Sequence, residues 1–332
     1  MSQSQLPSTM KAVVFDAPFK VSVQDRPTPK LQHAQDIIVK VQATALCGSE
    51  LHVFRGHQVS ETGFIMGHEF TGIIVEAGDE VKTVKVGDKV VTPFTTSWDG
   101  GQAEFVRIPY ADGTVTKAPP EIDDKALILM ADIFPTGYFG AKNAFRQLSP
   151  EEKAGATVVV VGCGPVGLCA IIAALEYKPK HLFAVDSIDS RLELAKKLGA
   201  EPLNFMTDKE GMLKRVKEAS DGRGADAVIE VVGLSPALRT AFDLLRPFGV
   251  ISSIGVHNAE IPYSGSEAYG KNLRIQTGRC PVRSVFPEAL EVLARNQDKL
   301  SFMFDKIMPL SSAVEGYDLF NSMKAQKIIF TP

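Results

Sequence analysis

The chain has 332 residues, which at roughly 100–200 residues per domain points to two domains. Hydrophobic residues make up 45% and charged residues 23%, an ordinary globular balance that excludes a disordered, collagen-like or coiled-coil chain. Lys plus Arg (36) against Asp plus Glu (39) leave a net charge of −3, too balanced for a polyanion-binding surface as the main function, so no nucleic acid partner is expected.

The opening MSQSQLPSTMK is polar, lacks the apolar core of a secretory signal and reads as a short frayed leader. The four cysteines, Cys47, Cys163, Cys169 and Cys280, are too sparse for a disulfide framework. A reducing compartment fits them, and a cytoplasmic location is the default expectation.

From Met10 to about Pro120 the pattern is short β-type runs such as AVVF, DIIVKVQATAL, TGIIVEAG and DKVVTPF, broken by Gly, Pro and Asp turns. It predicts an all-β, barrel-like module. Two short motifs lie within it: Cys47-Gly48-Ser49-Glu50-Leu51-His52, and Gly67-His68-Glu69 with its histidine 21 residues after the cysteine. A zinc ion that keeps an open coordination position needs about three protein ligands, and thiolate, imidazole and carboxylate all serve. Cys47, His68 and a carboxylate would supply that set.

The segment from Leu127 to Gln147 is apolar at helical spacing and links this module to the next. From about Thr157 to Gln276 β-type runs alternate with helical ones: VVVVG, LCAIIAALEY, LFAVD, SRLELAKKLGA, ADAVIEVVG, PALRTAFDLLRP and GVISSIG. This alternation predicts a parallel sheet covered by helices on both faces, an α/β fold. Residues Val158 to Leu175 are uncharged for 18 positions, close to the length of a membrane helix, but Gly162, Gly164, Pro165 and Gly167 make them a buried strand, a glycine turn and a helix start. No membrane partner is expected. After Arg279 the helical PEALEVLARN precedes a β-like ending, AQKIIF, which could rejoin the first module.

In Gly162-Cys163-Gly164-Pro165-Val166-Gly167 the spacing G-x-G-x-x-G falls between a strand and a helix, the context in which it cradles a pyrophosphate on backbone amides at a helix N-terminus. The next strand ends in Asp186, 19 residues past Gly167. A carboxylate there accepts hydrogen bonds from both adenosine ribose hydroxyls and repels a 2′-phosphate, which predicts NAD rather than NADP. Arg191, on the following helix, either lies over the adenine or, were Asp186 turned away, contacts a 2′-phosphate.

CGSELH, GHE, the run Ala131-Asp132-Ile133-Phe134-Pro135-Thr136-Gly137-Tyr138 and GCGPVG occur in that order, and together they resemble a zinc-dependent medium-chain dehydrogenase/reductase, the superfamily of alcohol, sorbitol, threonine and glutathione-dependent formaldehyde dehydrogenases. The resemblance runs from about Lys11 to Phe330. It implies a discontinuous GroES-like β-barrel catalytic domain (1–149 and 283–332) and a Rossmann domain, a doubly wound parallel sheet (150–282). By the same resemblance Cys47, His68 and Asp132 match the catalytic zinc positions, and Glu69 matches a carboxylate that is a ligand in some members and a neighbour in others. Ser49 and His52 match a relay that carries the alcohol proton toward solvent. Glu50 stands where relatives often have Asp, which orients the histidine ligand. The implied cofactor set is Gly162, Gly164, Pro165, Val166 and Gly167, with Asp186, Arg191 and Thr136. Subunit pairing in the superfamily implies a homodimer or homotetramer.

The chain departs from many members in one respect. They carry a structural zinc on four closely spaced cysteines, in a lobe bordering the substrate cleft. Here Ser97 runs straight into Trp98-Asp99-Gly100-Gly101, and no cysteine lies between Cys47 and Cys163, so one zinc per chain is expected, with no structural zinc. Of the remaining histidines, His33 and His181 read as surface turn residues, His57 as an edge of the substrate cleft, and His257 as a residue that could approach the nicotinamide end. Cys163, Cys169 and Cys280 read as packing residues.

The expected function is reversible, zinc-dependent hydride transfer between a primary or secondary alcohol (aldehyde or ketone in reverse), a small-molecule substrate, and NAD. Two rival readings are a zinc-independent NADPH quinone or enone reductase on the same fold, and a noncatalytic NAD-binding protein.

Overall fold

Apolar runs punctuated by Gly, Pro and Asp become strands in the computed structural model of this chain, which describes residues 6–93 and 100–332. Of the segment Ser97–Gly101, which stands in place of the structural-zinc lobe, the first three residues lie outside the described residues. Two compact units emerge: Met1–Asp132 with Leu293–Pro332, and Ile133–Val292.

The first unit opens with β1 (Thr9–Ala17) and β2 (Lys20–Pro27), an antiparallel hairpin. Its turn holds Phe19 at φ 60°, and the ring meets Phe54 edge-on at 5.7 Å, a contact that offsets the backbone strain. Next come β3 (Ile37–Ala45), α1 (Gly48–Phe54), β4 (Glu69–Ala77), β5 (Lys89–Val91), β6 (Phe105–Ile108), α2 (Ala111–Thr114), β7 (Thr116–Lys117) and α3 (Asp124–Leu127). The all-β expectation for Met10–Pro120 thus needs one amendment that matters, because the CGSELH motif forms α1. Its Leu51 and Phe54 are buried with Leu46, Met66, Tyr317 and Phe330 in one apolar cluster. Strands β3 and β4 are antiparallel, with Ala45 opposite Glu69. A buried 3-10 turn, Ile128–Ala131, lies against β3, β4 and β5 and ends at Asp132.

The second unit follows in chain order: α4 (Ile133–Arg146), α5 (Pro150–Ala154), β8 (Thr157–Val161), α6 (Pro165–Leu175), β9 (His181–Asp186), α7 (Asp189–Leu198), β10 (Glu201–Asn204), α8 (Lys209–Ala219), β11 (Ala225–Glu230), α9 (Ser235–Leu244), β12 (Leu245–Ser253), α10 (Gly265–Lys271), β13 (Arg274–Thr277) and α11 (Val282–Asn296), whose residues from Leu293 on belong to the first unit. The strands form a parallel sheet in the order β10-β9-β8-β11-β12-β13. This is the doubly wound arrangement, in which the chain reverses direction across the sheet beside β8. Strand β8, four valines after Thr157, is buried throughout, as a parallel strand covered on both faces must be. His181 corrects its expectation: it opens β9, half-buried, with its ring stacked on Phe183, because its register with Thr157 extends the parallel ladder. No helix among the described residues is long and apolar enough to cross a membrane.

The chain then returns to the first unit through β14 (Ile307–Pro309), α12 (Ala313–Asn321) and β15 (Ile329–Thr331). Strand β15 pairs antiparallel with β3, Ile329 opposite Ala45, so the AQKIIF ending does rejoin the first module.

A buried ionic junction closes the base of the parallel sheet. Asp226 on β11 accepts from the Thr157 amide (2.8 Å) and from Arg246 Nε (2.6 Å), while Arg246 Nη2 reaches Glu152 on α5 at 2.6 Å. Replacing one partner leaves a buried charge uncompensated, at a cost of about 3–5 kcal/mol. Arg246→Met should therefore lower the denaturant-unfolding free energy of this unit by about that amount, and Asp226→Asn on top of it should restore part of the loss. A loss under about 1 kcal/mol would contradict this view of the junction.

Candidate metal centre and nucleotide turn

Pairing of Ala45 with Glu69 explains how two motifs far apart in sequence meet. Cys47 lies two residues beyond one partner and His68 one residue before the other. Gly67 makes the approach possible: its φ is +100°, and a Cβ there would stand 2.5 Å from Gln102 Cγ. Cys47 is the N-cap of α1, and Glu50, at the third helical position, reaches back to the Cys47 amide through Oε2 at 2.6 Å, as in a capping box. Its other oxygen, Oε1, accepts from the His68 amide at 3.1 Å and lies 2.8 Å from His68 Nδ1. One buried carboxylate therefore fastens both motifs. The longer side chain of Glu50 is what lets it span them.

With Nδ1 engaged by Glu50, His68 presents Nε2 to the remaining groups. Nε2 lies 3.2 Å from Asp132 Oδ2 and 3.4 Å from Ser49 Oγ, and Cys47 Sγ lies 3.7 Å from the same Asp132 oxygen. Asp132 arrives from the end of the buried 3-10 turn. Glu69, at the start of β4, is fully buried, and its Oε2 is ion-paired with Lys327, which is equally buried. Its Oε1 has no hydrogen-bond partner among the described residues.

One donor atom each from Cys47, His68, Glu69 and Asp132 all fall within 4.8 Å of one another. Sulfur, imidazole nitrogen and carboxylate oxygen are acceptable to zinc, and the buried, unpartnered Glu69 Oε1 is a lone pair in need of a cation, so the donor set fits that ion. The electrostatics agree. Burial, then the Glu69 charge, push the Cys47 thiol up from its ordinary value. Burial opposes a charged His68, but the Glu50 carboxylate and the bonds to Asp132, Cys47 and Glu50 outweigh it and hold the imidazole well above its ordinary value. The cluster thus retains protons that a cation binding there would release.

Ser49 and His52 share one face of α1 at a spacing of three residues. His52 is half-buried, and burial, with the nearby His57 and Arg55 charges, lowers its pKa. The His57 ring lies 6.1 Å from the His52 ring.

In the second unit, β8 ends at Val161, Gly162 takes φ +97°, and Gly164 is the N-cap of α6, with Pro165 and Val166 opening its first turn. A Cβ on Gly167 would stand 1.8 Å from the Gly162 carbonyl oxygen, so the turn closes only on glycine. Asp186 ends β9 beside this turn. Its Oδ2 accepts from the Cys163 amide (2.7 Å), and its Oδ1 from the Ser187 (2.7 Å) and Ile188 (3.0 Å) amides. Arg191 Nη1 lies 3.9 Å from Asp186 Oδ2. Thr136 is half-buried in the first turn of α4. His257 Nε2 lies 3.3 Å from the Glu260 carbonyl oxygen. Cys163, Cys169 and Cys280 are buried free thiols.

Three participants escaped the sequence reading. Tyr317, from α12, donates to Gln102 Oε1 at 2.9 Å and packs its buried ring at a tilt against Phe54, centroids 5.1 Å apart, bracing α1 and the Gly67 turn together. Lys327 is the third. Burial opposes its charge, but Glu69 and then Cys47 outweigh that and hold the ammonium above its ordinary value. The available signal was a lysine heading the apolar run that becomes β15.

Residues 33–120 match the alcohol dehydrogenase GroES-like domain family, and residues 165–295 match the zinc-binding dehydrogenase family. Zinc-type alcohol dehydrogenase B of Aspergillus flavus is 64% identical, over 97% of this chain and 81% of its own length. The medium chain reductase/dehydrogenase ucsI of an Acremonium species is 55% identical, over 79% of this chain and 99% of its own. Among solved structures, alcohol dehydrogenase TADH from Thermus sp. ATN1 superposes with a TM-score of 0.89 at 31% identity, over 97% of this chain and 99% of that one. The chain belongs to the zinc-dependent medium-chain dehydrogenase/reductase family and is a zinc-type alcohol oxidoreductase of that family.

Proposed function

We propose that this protein reversibly oxidises a primary or secondary alcohol to the aldehyde or ketone, with NAD taking the hydride and a single zinc ion held by Cys47, His68 and Asp132, Glu69 standing beside them. The observation that carries the reading is the convergence of four donor atoms within 4.8 Å at the junction of the two motifs. When bound, zinc supplies Lewis acidity toward the hydroxyl oxygen and the nicotinamide ring supplies the hydride acceptor.

The chain's own residues divide the remaining work. Cys47 and Asp132 bring two negative charges, and His68 brings an imidazole whose ring orientation is set at Nδ1 by Glu50. Ser49 places a hydroxyl 3.4 Å from His68 Nε2, where it takes the alcohol proton and passes it on toward His52. With its pKa lowered, His52 is neutral near pH 7 and so able to receive that proton.

NAD rather than NADP is supported by the anchoring of Asp186. Three backbone amides tie its carboxylate beside the glycine turn, so it is not turned away, and lone pairs remain for ribose hydroxyls. Arg191 stands against that carboxylate. A single zinc is supported by the absence of any cysteine between Cys47 and Cys163. The alignment with the Aspergillus flavus protein runs over 346 positions, more than the 332 residues of this chain, so the relative carries inserted residues that this chain lacks. The family resemblance supports a homodimer or homotetramer, and the sparse cysteines support a cytoplasmic location.

NADH production over a panel of primary and secondary alcohols tests this reading. Turnover should prefer NAD, stop on chelation and return with zinc, and Asp186→Ser should narrow the NAD/NADP ratio of kcat/KM about tenfold or more. Chelator-insensitive reduction of quinones or enones with NADPH would contradict it. Glu50→Ala should weaken zinc retention in chelator competition by about 10–100-fold, and an unchanged affinity would remove Glu50 from its proposed place.

A further inference from the structure

We propose that Glu230 is a positioning residue for the dinucleotide site: its buried side chain fastens the exits of β11 and β12 together and holds them as the wall against which the glycine turn packs. This rests on the reading above that the turn takes NAD.

Glu230 ends β11 and is wholly buried. The partners of its carboxylate are neutral: Oε1 accepts from the Val232 and Gly233 amides, each at 2.7 Å, and Oε2 accepts from Ser253 Oγ at 2.7 Å. A carboxylate is costly to bury, and the cost is offset only where donors surround it. Ala227, Val228 and Ile229 before it are apolar, and packing alone would be served by one more residue of that kind. The charge is therefore kept for what it holds.

It holds amides that the sheet cannot satisfy. The ladder between β11 and β8 ends where the Val231 amide donates to the Val161 carbonyl at 3.1 Å, and the next two amides turn back onto the Glu230 side chain. From β12 come the hydroxyl of Ser253, its last residue, and beyond it the Ile254 and Gly255 amides, which donate to the Glu230 carbonyl at 2.9 and 3.3 Å. One residue thus gathers donors from two strand exits. The exits meet at backbone contact, since a Cβ on Gly255 would strike the Gly233 amide nitrogen.

These exits border the turn. Strands β9 and β11 flank β8 on opposite sides, and between β8 and β11 the sheet reverses its order, the place where an open parallel sheet takes a ligand beyond the carboxyl ends of its strands. There Val231 and Val232 are half-buried. A Cβ on Gly162 would stand 2.6 Å from Val232 Cγ2 and 3.0 Å from Val231 Cγ2, and one on Gly167 would stand 3.2 Å from Val231 Cγ2. The glycines admit the two valines against the turn, and the carboxylate fixes the backbone that carries them. Without it the Val232 and Gly233 amides lose their acceptor, the valines shift, and the amides opening α6 lose the spacing that a pyrophosphate needs. Asp186 is held on the β9 side by the Ser187 and Ile188 amides, so recognition of the adenosine end should feel little of the change.

The full-length protein is compared with its Glu230→Ala and Glu230→Gln forms by NADH fluorescence titration, with ADP-ribose and adenosine as competitors. Glu230→Ala should bind NADH and ADP-ribose about tenfold more weakly or worse, and adenosine within about twofold of the wild type. Glu230→Gln keeps the tether, because its amide oxygen accepts from Val232 and Gly233 and its amide nitrogen donates to Ser253 Oγ, and should return NADH affinity to within about threefold. Unchanged NADH affinity in Glu230→Ala, an equal loss for adenosine, or Glu230→Gln as weak as Glu230→Ala would overturn the proposal. Should Glu230→Ala not fold, Glu230→Asp, too short to reach both exits, is expected to show the same selective loss, and its absence is equally decisive. A wild-type protein that binds no dinucleotide overturns the underlying reading and this one with it. A wild type that binds NADH beside an unaltered Glu230→Ala overturns this one alone.

Discussion

The first unit turns on a single carboxylate. Glu50 bonds to the Cys47 amide, the His68 amide and His68 Nδ1, so the backbone of two motifs and the tautomer of one donor are set by the same group. Its place at the third position of α1 explains why glutamate serves there. That position in a capping box is where a glutamate naturally folds back onto the N-cap amide, and the extra methylene leaves the second oxygen free to reach across to His68.

Around that clamp the fold concentrates negative charge where water is scarce. A thiol and two carboxylates share a space in which their donor atoms lie within 4.8 Å, and the positive charges close to them are His68 and Lys327. Such a cluster would be hard to retain as a packing device, because each unpaired anion in it costs free energy. It is sensible as a cation site, and the same electrostatics that lift the Cys47 thiol and the His68 imidazole in its absence would favour an ion there. The parallel sheet does analogous work for the cofactor, with glycine at the two places where a Cβ cannot fit and Asp186 braced by amides beside them.

What could be read in the linear sequence was whatever is encoded locally or by order. The strand, glycine turn, helix and acidic residue around Gly162 and Asp186 declare themselves in one continuous stretch, as do the alternation of strands and helices and the apolar link from Leu127. Cys47, His68, Glu69 and Asp132 were named through their motifs, and the structure brings all four together. Residues whose roles depend on pairing across long separations stayed hidden. Lys327 reaches Glu69 only through the register of β15 on β3, and Tyr317 meets Gln102 only after α12 has packed under α1. The helical form of CGSELH was masked by the β-rich runs on both sides, since a seven-residue amphipathic helix is too short for its period to stand out. His181 looked like a turn residue because its partner, Thr157, is a strand away in space and invisible in the local pattern.

X-ray absorption at the zinc edge of the purified protein, together with its metal content, reaches the central claim most directly. The account predicts one zinc per chain with one sulfur neighbour, at about 2.3 Å, among nitrogen and oxygen donors. A protein with no zinc, with two ions per chain, or with zinc lacking any sulfur neighbour would contradict it.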